Sequence, residues 1–287
     1  MRKRGKGACL LVACLAVATA LLVAACGEKS GEGLLKRELP ENATPEKIML
    51  EGLNATDEAK TLHYLFDYSF VIPPTGKQAY TSEVALNGEG DYHAASGNAK
   101  ARVRWPSFDL EFDYVLYEGV QYYRTEESDT WYELPAGSSL SIPSISEITR
   151  NTAEYMDNFQ KITRLQDEVV DGRDCYHIAM VPNFDAIMEN QQFLDMIRGD
   201  REQLDEETLQ KIEEIKQELK DASVNYEYWF DKETLVLRRT LYNIEMVEKG
   251  EGEDSSYTVK MIMEITFPLY NQEVEITRPE PAMLYKG

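Results

Sequence analysis

The chain has 287 residues, with 30 Lys and Arg against 51 Asp and Glu, a net charge of −21 and a pI near 4.6. Affinity for nucleic acid comes from cations that neutralise phosphates, so so acidic a balance argues against a nucleic-acid partner. At 43% hydrophobic and 28% charged residues, without a low-complexity run, the chain can bury a core and is folded rather than a disordered tail.

The first element is an address. Arg2, Lys3, Arg4 and Lys6 precede an uncharged apolar run from Ala8 to Ala25, the layout of an export signal. At about 18 residues the run lies at the lower edge of a bilayer span, so an uncleaved anchor is the competing reading. The end of the run favours cleavage, because Val23-Ala24-Ala25-Cys26-Gly27 resembles a bacterial lipobox. That resemblance implies cleavage between Ala25 and Cys26 and a diacylglycerol on the Cys26 sulfur, each buried methylene contributing about 0.8 kcal/mol to membrane attachment. Residues 1–25 are then a signal peptide, and the mature protein is exported and anchored to the outer face of the cell membrane, or to an outer membrane where the cell has one.

Processing redistributes cysteines and charge. Cys9 and Cys14 leave with the signal and Cys26 is consumed, so Cys175 alone remains and no intramolecular disulfide forms. Cys175 sits in the alternating run Cys175-Tyr176-His177-Ile178-Ala179-Met180, where a buried, inert thiol is expected. Losing four cations and no acid takes the net charge from −21 to −25. Residues 26–43 are rich in Gly, Glu and Lys at their start and read as a flexible tether.

A single domain is expected over 44–287. Thr44-Pro45-Glu46 opens a helix: a hydroxyl cap, a proline whose missing N–H costs nothing there, and an acid at the positive dipole end. Ile48, Met49, Leu53 and Ala59 give it one apolar face. The period then changes to two. Tyr64, Phe66, Tyr68 and Phe70 alternate with Leu65, Asp67 and Ser69; Ala101, Val103 and Trp105 alternate with Arg102 and Arg104; Phe108, Leu110, Phe112 and Tyr114 alternate with Asp109, Glu111 and Asp113. This is antiparallel sheet with one solvated face. Glu118-Gly119 turns the chain into Val120 to Arg124, and Trp131 to Leu134 forms a short strand.

Helical spacing returns over 144–159. Two strands follow, 161–169 and 175–181, joined by Asp171-Gly172. A long helical insertion runs over about 184–222, breaking near Gly199. Its second half carries Leu204, Ile212, Ile215 and Leu219 among many charges, which suits a solvated helix or, alternatively, a partner-docking one. Strands 224–230 and 235–247 are joined by Asp231-Lys232-Glu233-Thr234. The clearest strand carries Tyr257, Val259, Met261, Met263, Ile265 and Phe267 on one side.

With these elements in place, three segments resemble bacterial lipoproteins of the LolA/LprG/LppX-like superfamily. Val170-Asp171-Gly172-Arg173-Asp174-Cys175-Tyr176-His177-Ile178 is similar to that group's strand-turn-strand V-x-G-x-x-x-Y-x-I. Tyr228-Trp229-Phe230-Asp231-Lys232-Glu233-Thr234 is similar to its W-I-D-K-x-T hairpin, and Phe267-Pro268-Leu269-Tyr270-Asn271 with Val274 to Pro279 is similar to its ending. The resemblance implies an α+β fold: an unclosed, curved antiparallel half-barrel, its concave face covered by helices, enclosing an apolar cavity. The insertion at 184–222 departs from the group's usual lid.

Enzyme chemistry finds little footing. His63, His93 and His177 lie far apart, with no H-x-x-x-H or H-E-x-x-H spacing, and neither a nucleophile elbow nor a phosphate-binding loop occurs. Asp109, Glu111 and Asp113 share a strand face and read as a solvated row rather than a calcium site, which needs a wrapping loop. No metal or cofactor is expected. The expected function is a non-enzymatic, membrane-anchored lipoprotein binding a lipid, glycolipid or other hydrophobic ligand in a half-barrel cavity. Phe66, Tyr68, Phe112, Tyr114, Tyr228, Met261, Met263 and Ile265 are its candidate walls. The alternative is an envelope sensor or scaffold that acts through a protein partner.

Overall fold

A computed structural model describes residues 34–72, 82–134, 159–189, 209–210, 213, 222–249, 256–280 and 282–284. Among the described residues thirteen strands form a single curved, unclosed sheet that is antiparallel but for one pair at its edge. In chain order they are β1 (Thr61–Ile72), β2 (Ser82–His93), β3 (Asn98–Trp105), β4 (Leu110–Tyr117), β5 (Val120–Thr125), β6 (Trp131–Glu133), β7 (Phe159–Arg164), β8 (Glu168–Val170), β9 (Arg173–Pro182), β10 (Ser223–Asp231), β11 (Leu237–Lys249), β12 (Ser256–Tyr270) and β13 (Ala282–Leu284). They lie side by side as β13-β6-β5-β4-β3-β2-β1-β12-β11-β10-β9-β7, with β8 also on β9. The chain thus builds each half of the sheet as a meander, and the β1–β12 pairing joins the halves. Two α-helices accompany the sheet among the described residues, α1 (Pro45–Asp57) and α2 (Phe184–Glu189).

Local chemistry accounts for most of these boundaries. The Thr44 hydroxyl accepts from the Lys47 amide at 3.3 Å and Pro45 opens α1, as the sequence predicts. Ile48 and Met49 are fully buried, and Gly52 sits so close to the Phe230 ring that any side chain there would overlap it. Thr56 completes the joint: its hydroxyl donates to the Gly52 carbonyl at 2.8 Å and accepts the Leu237 amide at 2.9 Å. Glu118-Gly119 and Asp171-Gly172 both have two successive positive φ angles, 50° and 79°, then 49° and 75°. That is the twist a two-residue hairpin needs.

At the β10–β11 turn, Asp231 and Arg238 form a buried ion pair at 3.2 Å. Asp231 also accepts the amides of Glu233 and Thr234, and Arg238 donates to the carbonyls of Phe267 and Pro268. The Tyr270 hydroxyl donates to the Leu237 carbonyl. Each charge is therefore compensated by several hydrogen bonds, the condition under which a buried pair survives desolvation.

One strand was not anticipated, and three expectations change. Residues 82–93, where the alternation contains Asn87, Gly88, Glu89 and Gly90, form the central strand β2, although these residue types disfavour strands. The strand expected over 161–169 is split into β7 and β8 by a turn in which Arg164 forks onto Asp167 at 3.1 and 2.7 Å. Leu235 takes a left-handed φ of 61°, so β11 starts at Leu237 rather than at 235. Phe159 opens β7 instead of closing a helix; residues 144–158 of that expected helix lie outside the described residues. Of the insertion over 184–222, α2 and the helical residues 209–210 and 213 are described, and β10 begins at Ser223.

Candidate functional site

Cross-strand partners in an antiparallel sheet point to the same side, so the register fixes which side chains share a face. Phe66 pairs with Ile265, Tyr68 with Met263 and Phe70 with Met261. Tyr242 pairs with Met263, and Tyr228 with Thr240 and Ile178. On the other side Phe66 meets Gly88, Gly88 meets Val103, and Val103 meets Phe112; Tyr64 meets Gly90, then Ala101, then Tyr114. All eight predicted wall residues therefore lie on one aromatic face of one continuous sheet.

That face has two unlike halves. Over β9–β12, Ile178, Met180, Tyr228, Tyr242, Met261 and Met263 are at most 1% exposed. The Tyr228 and Tyr242 hydroxyls are hydrogen-bonded at 2.9 Å, and α1 packs against β9, β10 and β11. Over β1–β4 the small residues Gly88, Gly90, Ala99 and Ala101 replace large ones. The rings of Phe66 and Tyr64 lie across Gly88 and Gly90, where an added Cβ would collide with them. Tyr64, Phe66 and Tyr68 form an aromatic row with centroids 6.2 and 5.2 Å apart. Tyr64, Phe66, Tyr68, Leu86 and Phe112 pack against the core yet stay only partly buried.

Polar groups on this half are few. The Tyr114 hydroxyl is buried without a hydrogen-bond partner among the described residues, and Thr240 Oγ1 on the packed half is likewise unpaired. Burial raises the phenol pKa of Tyr64, Tyr68 and Tyr114 above its ordinary value, so all three are neutral donors at physiological pH.

The opposite face is charged. A groove of about 370 Å³ there is lined by Glu89, Asp91, Lys100, Arg102, Asp113 and Trp131, among others. Its charges satisfy one another: His63 Nδ1 is 2.8 Å from Asp91, Arg102 Nε 3.1 Å from Asp113, and Arg124 2.5 Å from the other Asp113 oxygen. Burial by itself would raise the Asp113 carboxyl, but hydrogen bonds from Arg124 and Arg102 outweigh it and hold it below its ordinary value. Glu111 pairs with Arg104 at 2.9 Å, and Asp109 takes a left-handed turn position. The acidic row of β4 is thus an ion-pair ladder.

The three histidines are scattered here too. His93 meets Ser96, while His177 stacks on Trp229 at 4.2 Å and lies 2.7 Å from Glu227. Among the described residues no group of three or more His, Cys, Asp or Glu is placed to hold a metal ion, and no helix is long and apolar enough to cross a membrane. Cys175 is buried, and burial foremost pushes its thiol up to about 11. Ala25 and Cys26 lie outside the described residues.

Tyr64, Leu86, Gly88, Gly90 and Ala101 belong to this face but not to the predicted wall. The signal for β2 was present in Val84, Leu86, Gly88, Gly90 and Tyr92 at a spacing of two, obscured because two of the five are glycine.

No protein-family model matches the sequence, and no curated protein matches it. Solved structures do. The lipoprotein LppX of Mycobacterium tuberculosis is 11% identical, with a TM-score of 0.40, over 81% of this chain and 98% of its own. LprF of Mycobacterium bovis is 12% identical, with a TM-score of 0.41, over 82% and 96%. A LolA superfamily protein of Nitrosomonas europaea is 7% identical, with a TM-score of 0.29, over 78% and 92%. LppX and the LolA superfamily protein carry the names of the group whose hairpin motifs the sequence resembles.

Proposed function

We propose that this is an exported, lipid-anchored, non-enzymatic protein that binds a lipid or another elongated hydrophobic molecule against the β1–β4 half of its aromatic face. The observation that carries the reading is the contrast between the two halves. One is filled by the protein's own tyrosines and methionines; the other keeps partly accessible aromatic walls over a floor of glycine and alanine. A side chain surrounded by protein that still retains accessible surface borders a space, and an apolar space with a few convergent polar groups is the common form of a ligand site. Phe66, Tyr68, Phe112 and Tyr114 would touch the ligand. Tyr228, Met261, Met263 and Ile265 would form the packed base beside it, with helices covering the concave side. Cys26 would bear the membrane anchor. The Tyr114 hydroxyl, buried and without a hydrogen-bond partner among the described residues, would pair with an ester, hydroxyl or headgroup oxygen of a ligand that opened the space beside it.

Native mass spectrometry of the domain from residue 27, followed by solvent extraction, tests this. A copurifying lipid, or stoichiometric uptake of an added acyl chain, is expected; an empty protein that takes up neither refutes it.

A sensor or scaffold reading draws on one other feature, the β3–β4 hairpin tip. There Phe108 is 63% exposed and packs edge-to-face on Trp105 at 4.6 Å. Such a tip suits a protein contact, and on that reading Phe108→Ser abolishes a crosslinked partner in cells while lipid uptake is absent.

A further inference from the structure

The stretch expected to be a free tether is docked from Leu34 onward. Leu34, Leu39 and Ala43 pack against the core, the Arg37 amide donates to the Glu233 carbonyl at 2.8 Å, and the Arg37 guanidinium pairs with Glu58 at 2.5 Å. Only seven residues, or eight Cα–Cα steps, separate Cys26 from Leu34. Fully extended, they reach roughly 27 Å, less than the roughly 36 Å spanned by the twelve-residue β1 at about 3.3 Å per residue. An anchor at Cys26 therefore keeps the Leu34 end of the domain near the bilayer.

Hydrogen bonds and ion pairs tie four segments together at that end. Arg37 meets Glu233 in the β10–β11 turn, the Lys232 amide donates to the Asp174 carbonyl on β9, Asp174 pairs with Val169 on β8, and Lys232 Nζ reaches Asp167 at 2.8 Å. This end exposes apolar side chains that the core does not use: Leu35 at 64%, Val169 at 66% and Leu165 at 41%. Around them stand Lys36 and Arg173, both paired with Glu233, and Lys232, paired with Asp167, so the carboxylates of this end are neutralised locally while the long cationic side chains lay their methylenes on apolar surface. For a chain this acidic, an anionic bilayer surface repels least the region where carboxylates are neutralised by neighbouring cations and aliphatic groups are exposed.

We propose that this end, formed by residues 34–37 with the β8–β9 and β10–β11 turns, is the surface that seats the domain on the lipid headgroups. The occupant is a bilayer surface. The orientation rests on Cys26 carrying the lipid, and it places the Phe108 tip, at the other end of the strands, away from the membrane.

The test uses the full chain purified from membranes and reconstituted into phosphatidylcholine vesicles containing phosphatidylglycerol and a shallow spin-labelled lipid. Val169→Cys and Phe108→Cys are each labelled with a small environment-sensitive fluorophore; Cys175 is buried and stays unlabelled. The label at 169 should be quenched at least threefold more than the label at 108. Equal quenching, stronger quenching at 108, or none at either position overturns the orientation. The mass of the N-terminal peptide separates the two readings. A chain lacking diacylglycerol overturns the anchor and the orientation together; a lipidated chain with an unquenched 169 label overturns the orientation alone.

Discussion

Asp57→Asn should stabilise the protein at neutral pH and flatten its pH dependence. Asp57 closes α1, where the helix dipole disfavours an anion, and one carboxyl oxygen is buried without a partner among the described residues. Burial, reinforced by the neighbouring Glu58 charge, raises its pKa from 3.8 to about 8. The sign follows from where the proton is held. Below about pH 4 both folded and unfolded chains are protonated, so the group has no effect. Between about pH 4 and 8 the unfolded chain releases the proton while the folded chain keeps it, so stability falls as pH rises. A shift of about four units has a ceiling of about 6 kcal/mol at 1.36 kcal/mol per unit. Water reaching the exposed part of the side chain relieves some of this, leaving about 2–4 kcal/mol. Urea unfolding at pH 5, 6, 7 and 8 reads it directly: the stability gap between Asp57→Asn and the parent should widen steadily with pH. A gap that stays constant from pH 5 to 8 would refute the reasoning.

Arg238→Met leaves Asp231, 1% exposed, without its ion-pair partner, so a loss of about 3–5 kcal/mol in urea unfolding is expected, with most of it recovered in the Asp231→Asn/Arg238→Met double variant. Thr56→Val removes both the donor to Gly52 and the acceptor for the Leu237 amide; it should cost about 1–3 kcal/mol and speed hydrogen exchange at Leu237. Gly90→Val drives a side chain into the Tyr64 ring, which should cost about 1–3 kcal/mol and weaken uptake of a fluorescent fatty acid. The Cys175 thiol, buried and pushed up to about 11, should react with a disulfide reagent at pH 8 only as fast as the protein unfolds.

Period-two alternation was strong wherever large side chains marked it, which is why β1, β3, β10 and β12 were readable residue by residue, and β4 from Leu110 onward, Phe108 and Asp109 belonging to the turn before it. It also put Phe66, Tyr114, Tyr228 and Met263 each on the apolar side of its own strand; that these sides make one face follows from the register, which the sequence does not state. The lost element was β2, whose inward positions include Gly88 and Gly90. Those glycines have no hydrophobic content of their own and make sense only beneath the rings of Phe66 and Tyr64, a contact between strands that no local pattern encodes. The split between β7 and β8 was hidden for a similar reason: it depends on Arg164 meeting Asp167 and Tyr176, not on a turn-forming Gly or Pro. The division of the aromatic face was invisible too. Tyr68 and Tyr228 look alike in sequence, and only the seating of α1 over β9–β11 makes one part of a filled core and the other a partly open wall.

Photocrosslinking with a diazirine-bearing acyl lipid, mapped by peptide mass spectrometry, tests most directly whether the β1–β4 half of the aromatic face holds the ligand. Labelled peptides should contain Tyr64 to Phe70, Leu86 and Phe112 to Tyr114, and labelling should be competed by unlabelled lipid. No specific labelling, or labelling confined to outward residues such as Leu65 and Ile262, would contradict it.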